Sequence, residues 1–164
     1  MDRGLQCMHG ALQRPARMAF RAVPSGARRT RMNPGDWERI RSLGGQLPED
    51  GELPVTEDVR ELLLRVAPDV ALTQDEARRA LNDPSTAAVL LREMHRRIRD
   101  GSRRLSRALV ESHKLKQTGD FAAARDVLNR VAAVEIVPFY RDQVRIALDH
   151  VEDPDEDNQT DSDV

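Results

Sequence analysis

From residue 85 to residue 148 the chain keeps a helical apolar rhythm, interrupted only at Gly119-Asp120 and near Pro138. A 3.6-residue period held over that distance argues against a sheet, whose side chains alternate at every second residue. The expected fold is all-α: a small bundle of five or six helices around an antiparallel helical hairpin core. Composition matters here at one point. Aromatics make up only 3% of the chain. The interior must therefore be Leu, Val, Ile and Ala, and strands would lack their usual aromatic support.

Local signals divide the chain into elements. A first helix is expected from Gly35 or Asp36 to Leu43, with Asp36 as N-cap, Trp37, Ile40 and Leu43 on one face, and Gly44-Gly45 as the stop. A second begins at Thr56, carries Val59, Leu62, Leu63 and Val66 as a stripe, and ends at Pro68. Thr73 and Glu76 form a capping box for a short third helix through Ala77, Ala80 and Leu81.

The fourth helix is long, from about residue 85 to 117. Ala87, Leu91, Met94, Ile98, Leu105, Leu109 and Ser112 repeat at seven-residue spacing, and the phase survives Asp100-Gly101-Ser102. One helix with a weak point is expected there, with Gly101 open to the close approach of another helix. Thr118-Gly119-Asp120 reads as a helix–helix turn. A fifth helix carries Phe121, Ala124, Leu128, Val131, Val134 and Ile136. Pro138 then kinks or restarts the chain into a last helix with Phe139, Val144, Ala147 and Leu148.

The net charge of −2 conceals three regions. Residues 1–32 are basic, with seven Arg against one Asp. Residues 33–150 form the expected folded domain, close to neutral. Residues 151–164 are acidic, without Lys or Arg, and lack periodicity, as expected of a disordered tail. The basic head is compatible with a transit peptide, a nucleic-acid-binding arm or an over-long start, with Met32 as the expected initiator. The excess of Arg over Lys resembles a GC-rich bacterial genome and disfavours the transit peptide. Cys7 is the only cysteine, so no internal disulfide can form. No apolar run approaches the ~20 residues that span a bilayer. A cytoplasmic protein without membrane contact is expected.

Few residues suggest chemistry. Glu93-Met94-His95 and Glu111-Ser112-His113 look like half-sites for a metal, but 18 residues of helix separate the two His by ~27 Å. They are expected to be solvated flank residues, and no metal or other cofactor is expected. Glu135, between Val134 and Ile136, is a candidate buried acid; pairing with an Arg is the commoner fate of such a residue. No phosphate loop, nucleophile elbow or zinc motif is present. The sharpest feature is an Arg stripe. Arg92, Arg96, Arg99, Arg103 and Arg107 fall within ~80° of one another on an ideal helix, turned away from the apolar stripe. It is the candidate interaction surface. Five guanidiniums could track phosphates, yet Glu93 and Asp100 interrupt the field and no aromatic side chain lies nearby for base stacking. A salt-bridged helix face is the plainer account. The acidic tail could fold back over the stripe and mask it.

Two resemblances follow from these residues. Asp36-Trp37-Glu38-Arg39-Ile40-Arg41 with Leu43-Gly44, then Glu61-Leu62-Leu63, Ile98-Arg99-Asp100-Gly101-Ser102-Arg103-Arg104-Leu105 and Val134-Glu135-Ile136-Val137-Pro138-Phe139-Tyr140-Arg141, are similar to the small myxobacterial DUSAM-domain proteins. These form a paralogous family without an assigned activity. The resemblance covers about residues 35–148 and transfers no catalytic residue. Gly119-Asp120-Phe121 with Ala124, Leu128 and Val131 resembles the turn and second helix of a tetratricopeptide repeat. Ala108, Glu111 and Ser112 depart from its first-helix pattern, Pro138 comes about two residues late, and only one unit is visible. It implies an antiparallel hairpin and a peptide- or protein-binding groove.

The leading expectation is a non-enzymatic binding or regulatory module with a protein partner. Nucleic-acid binding through the Arg stripe comes second. An enzyme comes third and would need a substrate-sized apolar pocket with Glu135 in its wall.

Overall fold

The computed structural model describes residues 32–152. The basic head and most of the acidic tail lie outside the described residues. Six α-helices follow in order: α1 (Pro34–Gln46), α2 (Glu57–Val66), α3 (Gln74–Ala80), α4 (Pro84–Gln117), α5 (Phe121–Val134) and α6 (Pro138–Asp149). A 3₁₀ turn at Pro68–Val70 joins α2 to α3. No strand occurs among the described residues. The all-α expectation holds.

The 34-residue α4 is the spine, ~50 Å long at 1.5 Å per residue. Asp83 starts it by accepting hydrogen bonds from the backbone N–H groups of Ser85 and Thr86, both at 3.0 Å. It is continuous through Gly101. Leu90, Leu91, Met94, Ile98, Leu105, Ala108 and Ser112 are buried along it, while Leu109 is exposed. The seven-residue repeat runs the length of the helix as 87/94/101/108 and 91/98/105/112. Leu109, counted in it from the sequence, lies one residue off that register, and Ala108 takes the inward position.

Helices α5 and α6 complete an antiparallel hairpin core with α4, and α1 to α3 pack across its first half. The α4–α5 turn is as expected. Gly119 has φ +78°, the Asp120 N–H reaches the Leu115 carbonyl at 3.0 Å, and the Asp120 side chain caps Ala123 N–H at 3.0 Å. The capping box of α3 is present in both directions, Thr73 N–H to Glu76 at 2.7 Å and Glu76 N–H to Thr73 at 3.2 Å.

Three local expectations need correction. Asn33, not Asp36, caps α1, accepting from Gly35 N–H at 3.0 Å with Pro34 in the first turn. Asp36 instead takes a two-pronged hydrogen bond from Arg65, 3.1 Å on each oxygen. Nor do Gly44 and Gly45 end α1, which runs to Gln46. Gly44 faces α4 so closely that a Cβ there would lie 2.6 Å from the Cβ of His95. Tertiary contact overrides the low helix propensity of the pair. Finally, Pro68 does not turn the residue before it out of helical geometry. Ala67 is helical, with φ −49° and ψ −51°, and the chain reverses at Ala71, whose φ is +60°.

After α5 the chain runs extended for three residues, and side chains there alternate in and out. Glu135 and Val137 are buried while Val134 and Ile136 are exposed. The expected apolar face of α5 therefore stops at Val131, and Val127 joins Ala124 and Leu128 in the core. Pro138 restarts the chain as the first residue of α6. From α6, Tyr140 and Phe139 meet Trp37 in a cluster of three edge-on rings, with centroids 5.5 to 5.7 Å apart. Such geometry sets positive ring edges against negative faces. Few as they are, the aromatics gather where α1 meets α6.

Candidate functional site

The five stripe arginines do not share one environment. Arg92 is half-buried and donates to the carbonyls of Pro48 and Gly51, the latter at 2.8 Å, holding the α1–α2 loop against α4. Arg96 lies against Glu93 in a two-pronged pair at 2.8 and 2.9 Å, with Asp100 at 3.7 Å. Arg99 pairs with Asp100 at 3.0 Å. Arg103 and Arg107 are exposed and have no ion-pair partner among the described residues. The expected continuous stripe is thus divided, with its basic character concentrated beyond Gly101.

Two further arginines on a neighbouring flank of α4 pin other connections. Arg97 donates to the Val70 and Ala71 carbonyls at 2.9 and 2.8 Å and to Glu93 at 2.6 Å. It therefore satisfies the left-handed turn before α3. Glu93, shared by Arg96 and Arg97, has its pKa held below the ordinary carboxylate value, the Arg96 hydrogen bond being the main cause. Arg104 donates to Glu135 at 3.1 and 2.8 Å.

Glu135 is the one buried carboxylate, its side chain fully covered among the described residues. One oxygen takes both Arg104 contacts. The other accepts from the Ile136 and Val137 N–H groups at 3.0 and 2.9 Å. These are the backbone donors of the extended joint between α5 and α6. With four donors on two oxygens, Glu135 is a structural clip and offers no free oxygen to a substrate. The depressions lined by Pro138 and Arg145, by Arg107 and Lys114, and by Leu72 and Val89 do not include it.

Gly101 completes the joint. A Cβ there would lie 2.6 Å from Cε2 of Tyr140 and 3.3 Å from Glu135. The Tyr140 hydroxyl donates to the Ile98 carbonyl at 2.9 Å, one turn before Gly101. Burial raises the Tyr140 pKa above its ordinary 10.0. The glycine is there because α6 rests directly on the spine. Segments 98–105 and 134–141, which carry the stronger sequence resemblance, are the two surfaces of this joint.

The histidines stay apart. His95 is half-buried under α1; burial, then the charges of Arg99 and Arg41, lowers its pKa below 6.5. His113 is exposed beside Gln117 at 3.0 Å. No group of His, Cys, Asp and Glu able to hold a metal occurs among the described residues.

The far half of α4 presents a different surface. Arg103, Arg107, Val110 and Lys114 fall within ~60° on an ideal helix, opposite the buried side. All are exposed, Val110 to 57%. Arg107, Val110 and Lys114 line a shallow depression with Ser106 and Glu111. Lys114, like the two arginines, has no ion-pair partner among the described residues. Sequence reasoning missed Val110 and Lys114, because only the arginine spacing was followed. Their positions, seven and eleven residues after Arg103, were the available signal.

A model of the family described as "protein of unknown function (DUF2379)" matches residues 35–151. The chain belongs to the DUF2379 family. The DUF2379 match spans the joint, the loop-pinning arginines and the exposed face of α4, and ends one residue before Glu152. No curated protein and no solved structure is a significant match to the chain. No described helix is long and apolar enough to cross a membrane.

Proposed function

We propose that this DUF2379 domain is a non-enzymatic interaction module whose docking face is the outer side of α4 at Arg103, Arg107, Val110 and Lys114. One observation carries the reading: three cations and an exposed Val share one face, while the arginines elsewhere on the helix are engaged with loops or neighbouring acids. The fitting partner is a protein segment that sets carboxylates on either side of an apolar side chain. Guanidiniums grip carboxylates in a two-pronged way, and Val110 supplies the apolar contact that a phosphate chain would not use.

Within DUF2379, the chain reads as one of the paralogous DUSAM-domain proteins of myxobacteria, working in a bacterial cytoplasm. The support is the pair of segments at 98–105 and 134–141, together with the excess of Arg over Lys and a lone Cys7.

Nucleic acid is the second reading, since the same three cations could follow phosphates. The exposed Val and the lack of an aromatic side chain on that face favour protein. The test is capture from native lysate by the tagged full chain, with and without nuclease, beside Arg103→Glu/Arg107→Glu and a control reversal at Arg141 and Arg145. A discrete protein that survives nuclease, is lost with the first variant and is kept with the control is the expected result. Capture unchanged by the first variant would remove the face. Capture abolished by nuclease and falling by orders of magnitude between ~50 and 200 mM salt would put nucleic acid first.

A further inference from the structure

We propose that residues 153–164 of the same chain lie across the Arg103–Arg107–Lys114 face and compete there with the protein partner. The competition rests on the docking reading above; the contact itself does not.

Three observations lead to it. The first is where the tail begins. Lys116 donates to the His150 carbonyl at 3.2 Å, and Arg125 pairs with Glu152 at 2.8 Å. They tie the end of α6 to the last turn of α4 and the first turns of α5, so the described chain ends at Glu152 on that side of the bundle.

The second is reach. Arg103 lies 13 residues back from Lys116 along the helix, ~20 Å at 1.5 Å per residue. Rounding the helix adds at most its diameter of ~10 Å. Twelve extended residues span ~40 Å, enough to cover the whole face.

The third is charge. Residues 153–164 hold six acids, Asp153, Asp155, Glu156, Asp157, Asp161 and Asp163, and no Lys or Arg. The face holds three exposed cations without ion-pair partners among the described residues. The other stripe arginines already have acids or carbonyls against them, so within the stripe the cations left to the tail are those of the far half. Exposed pairs of this kind are individually weak and salt-screened. That suits an internal competitor, which must yield to a partner.

The test places a nitroxide on Asp161→Cys in the full chain carrying Cys7→Ser, and reads the loss of amide NMR intensity along α4. The expected result is a several-fold loss confined to residues 103–114 at ~50 mM salt. It should vanish at ~500 mM salt, where charges are screened within a few Å, and in Arg103→Glu/Arg107→Glu/Lys114→Glu. Amides on that face left unaffected, or a loss that persists after charge reversal, would overturn the contact.

A second variant separates this idea from the docking reading. It neutralises the six tail acids in the full chain, Asp to Asn and Glu156→Gln. Competition predicts several-fold more partner captured by this variant. A nitroxide that reaches the face with capture unchanged would end the competition. A nitroxide that avoids the face, with capture still lost on Arg103→Glu/Arg107→Glu, would sink the tail contact and leave the docking face standing.

Discussion

Near its start α4 is packed on several sides; toward its end it is covered on one. Up to Gly101 the helix meets α1 at Gly44, the α2–α3 turn at Arg97 and α6 at Tyr140. Beyond it, burial is confined to Leu105, Ala108 and Ser112 on the side facing the rest of the hairpin. The two halves carry the same kinds of residue at the same periodicity. Their arginines nonetheless do different work, because loops need donors. A connection between helices leaves carbonyls without intrahelical partners, and a guanidinium brings several donors on a long arm. Where connections crowd the spine, at residues 48–51, 70–71 and 135–137, an arginine of α4 is drawn in directly or through Glu135. Where no connection passes, Arg103 and Arg107 stay in solvent. An arginine stripe read from periodicity alone cannot be assigned one role.

The joint between the halves should be the most sensitive point. Glu135→Ala removes the acceptor of two backbone N–H groups and the partner of Arg104. Breaking a buried pair costs on the order of 3 kcal/mol, and Arg104, whose side chain is 38% exposed, can recover part of its hydration. A loss of about 3 kcal/mol in chemical denaturation is expected. A loss below about 1 kcal/mol would mean that the clip is dispensable.

The same substitution on the same helix sharpens the contrast. Arg97→Met should cost about 2 kcal/mol, since the Val70 and Ala71 carbonyls lose a charged donor. Arg103→Met should change stability by less than about 0.5 kcal/mol, as is usual for an exposed site without partners. Equal effects from the two variants would erase the distinction between the halves. Glycines offer a parallel pair with a smaller expected difference. Gly101→Ala should lose about 1–2 kcal/mol, because the new methyl meets the buried Tyr140 ring and overpacking outweighs the gain in helix propensity. Gly45→Ala, with open space around its Cβ, should gain about 0.5 kcal/mol or more. Thermal or denaturant melts of the two variants decide the sign.

His95 supplies a pH signature of the covered half. Burial and nearby arginines hold its folded pKa below the ordinary 6.5. The folded state therefore favours neutral His95, and the unfolded chain binds the proton first as pH falls. This stability is present above pH 6.5 and is lost as pH drops through the folded pKa. His95→Gln should flatten that part of a stability-against-pH curve. A steeper curve in His95→Gln would reverse the assigned sign.

What was legible in the sequence follows the same division. The helices of the hairpin core, the Thr73–Glu76 box and the Gly119 turn depend on local chemistry, and local residues announce them. The continuity of α1 through Gly44-Gly45, the role of Asp36 and the inward turn of Glu135 between two exposed apolar residues depend on partners 29 to 51 positions away. Asp36 answers to Arg65, Gly44 to His95, and Glu135 to Arg104. Nothing within a helical turn of these residues signals those partners. The candidate face suffered the opposite error. Five arginines at good spacing suggested one surface, and only the loop carbonyls around Arg92 showed that part of it faces inward.

Charge reversal on the exposed face is the change expected to affect stability least. Arg103→Glu/Arg107→Glu breaks no ion pair among the described residues and alters no buried contact, so the melting curve should shift by less than about 0.5 kcal/mol. At position 103 a carboxylate faces Arg99 four residues before it, while carboxylates at 103, 107 and 111 repel at the same spacing, each effect being a few tenths of a kcal/mol. A stability loss above about 1 kcal/mol would show that the face is held against another part of the chain strongly enough to count in folding. That result would bring the far half into line with the near half. A silent melting curve with lost partner capture would instead separate folding from recognition on a single helix, divided at Gly101.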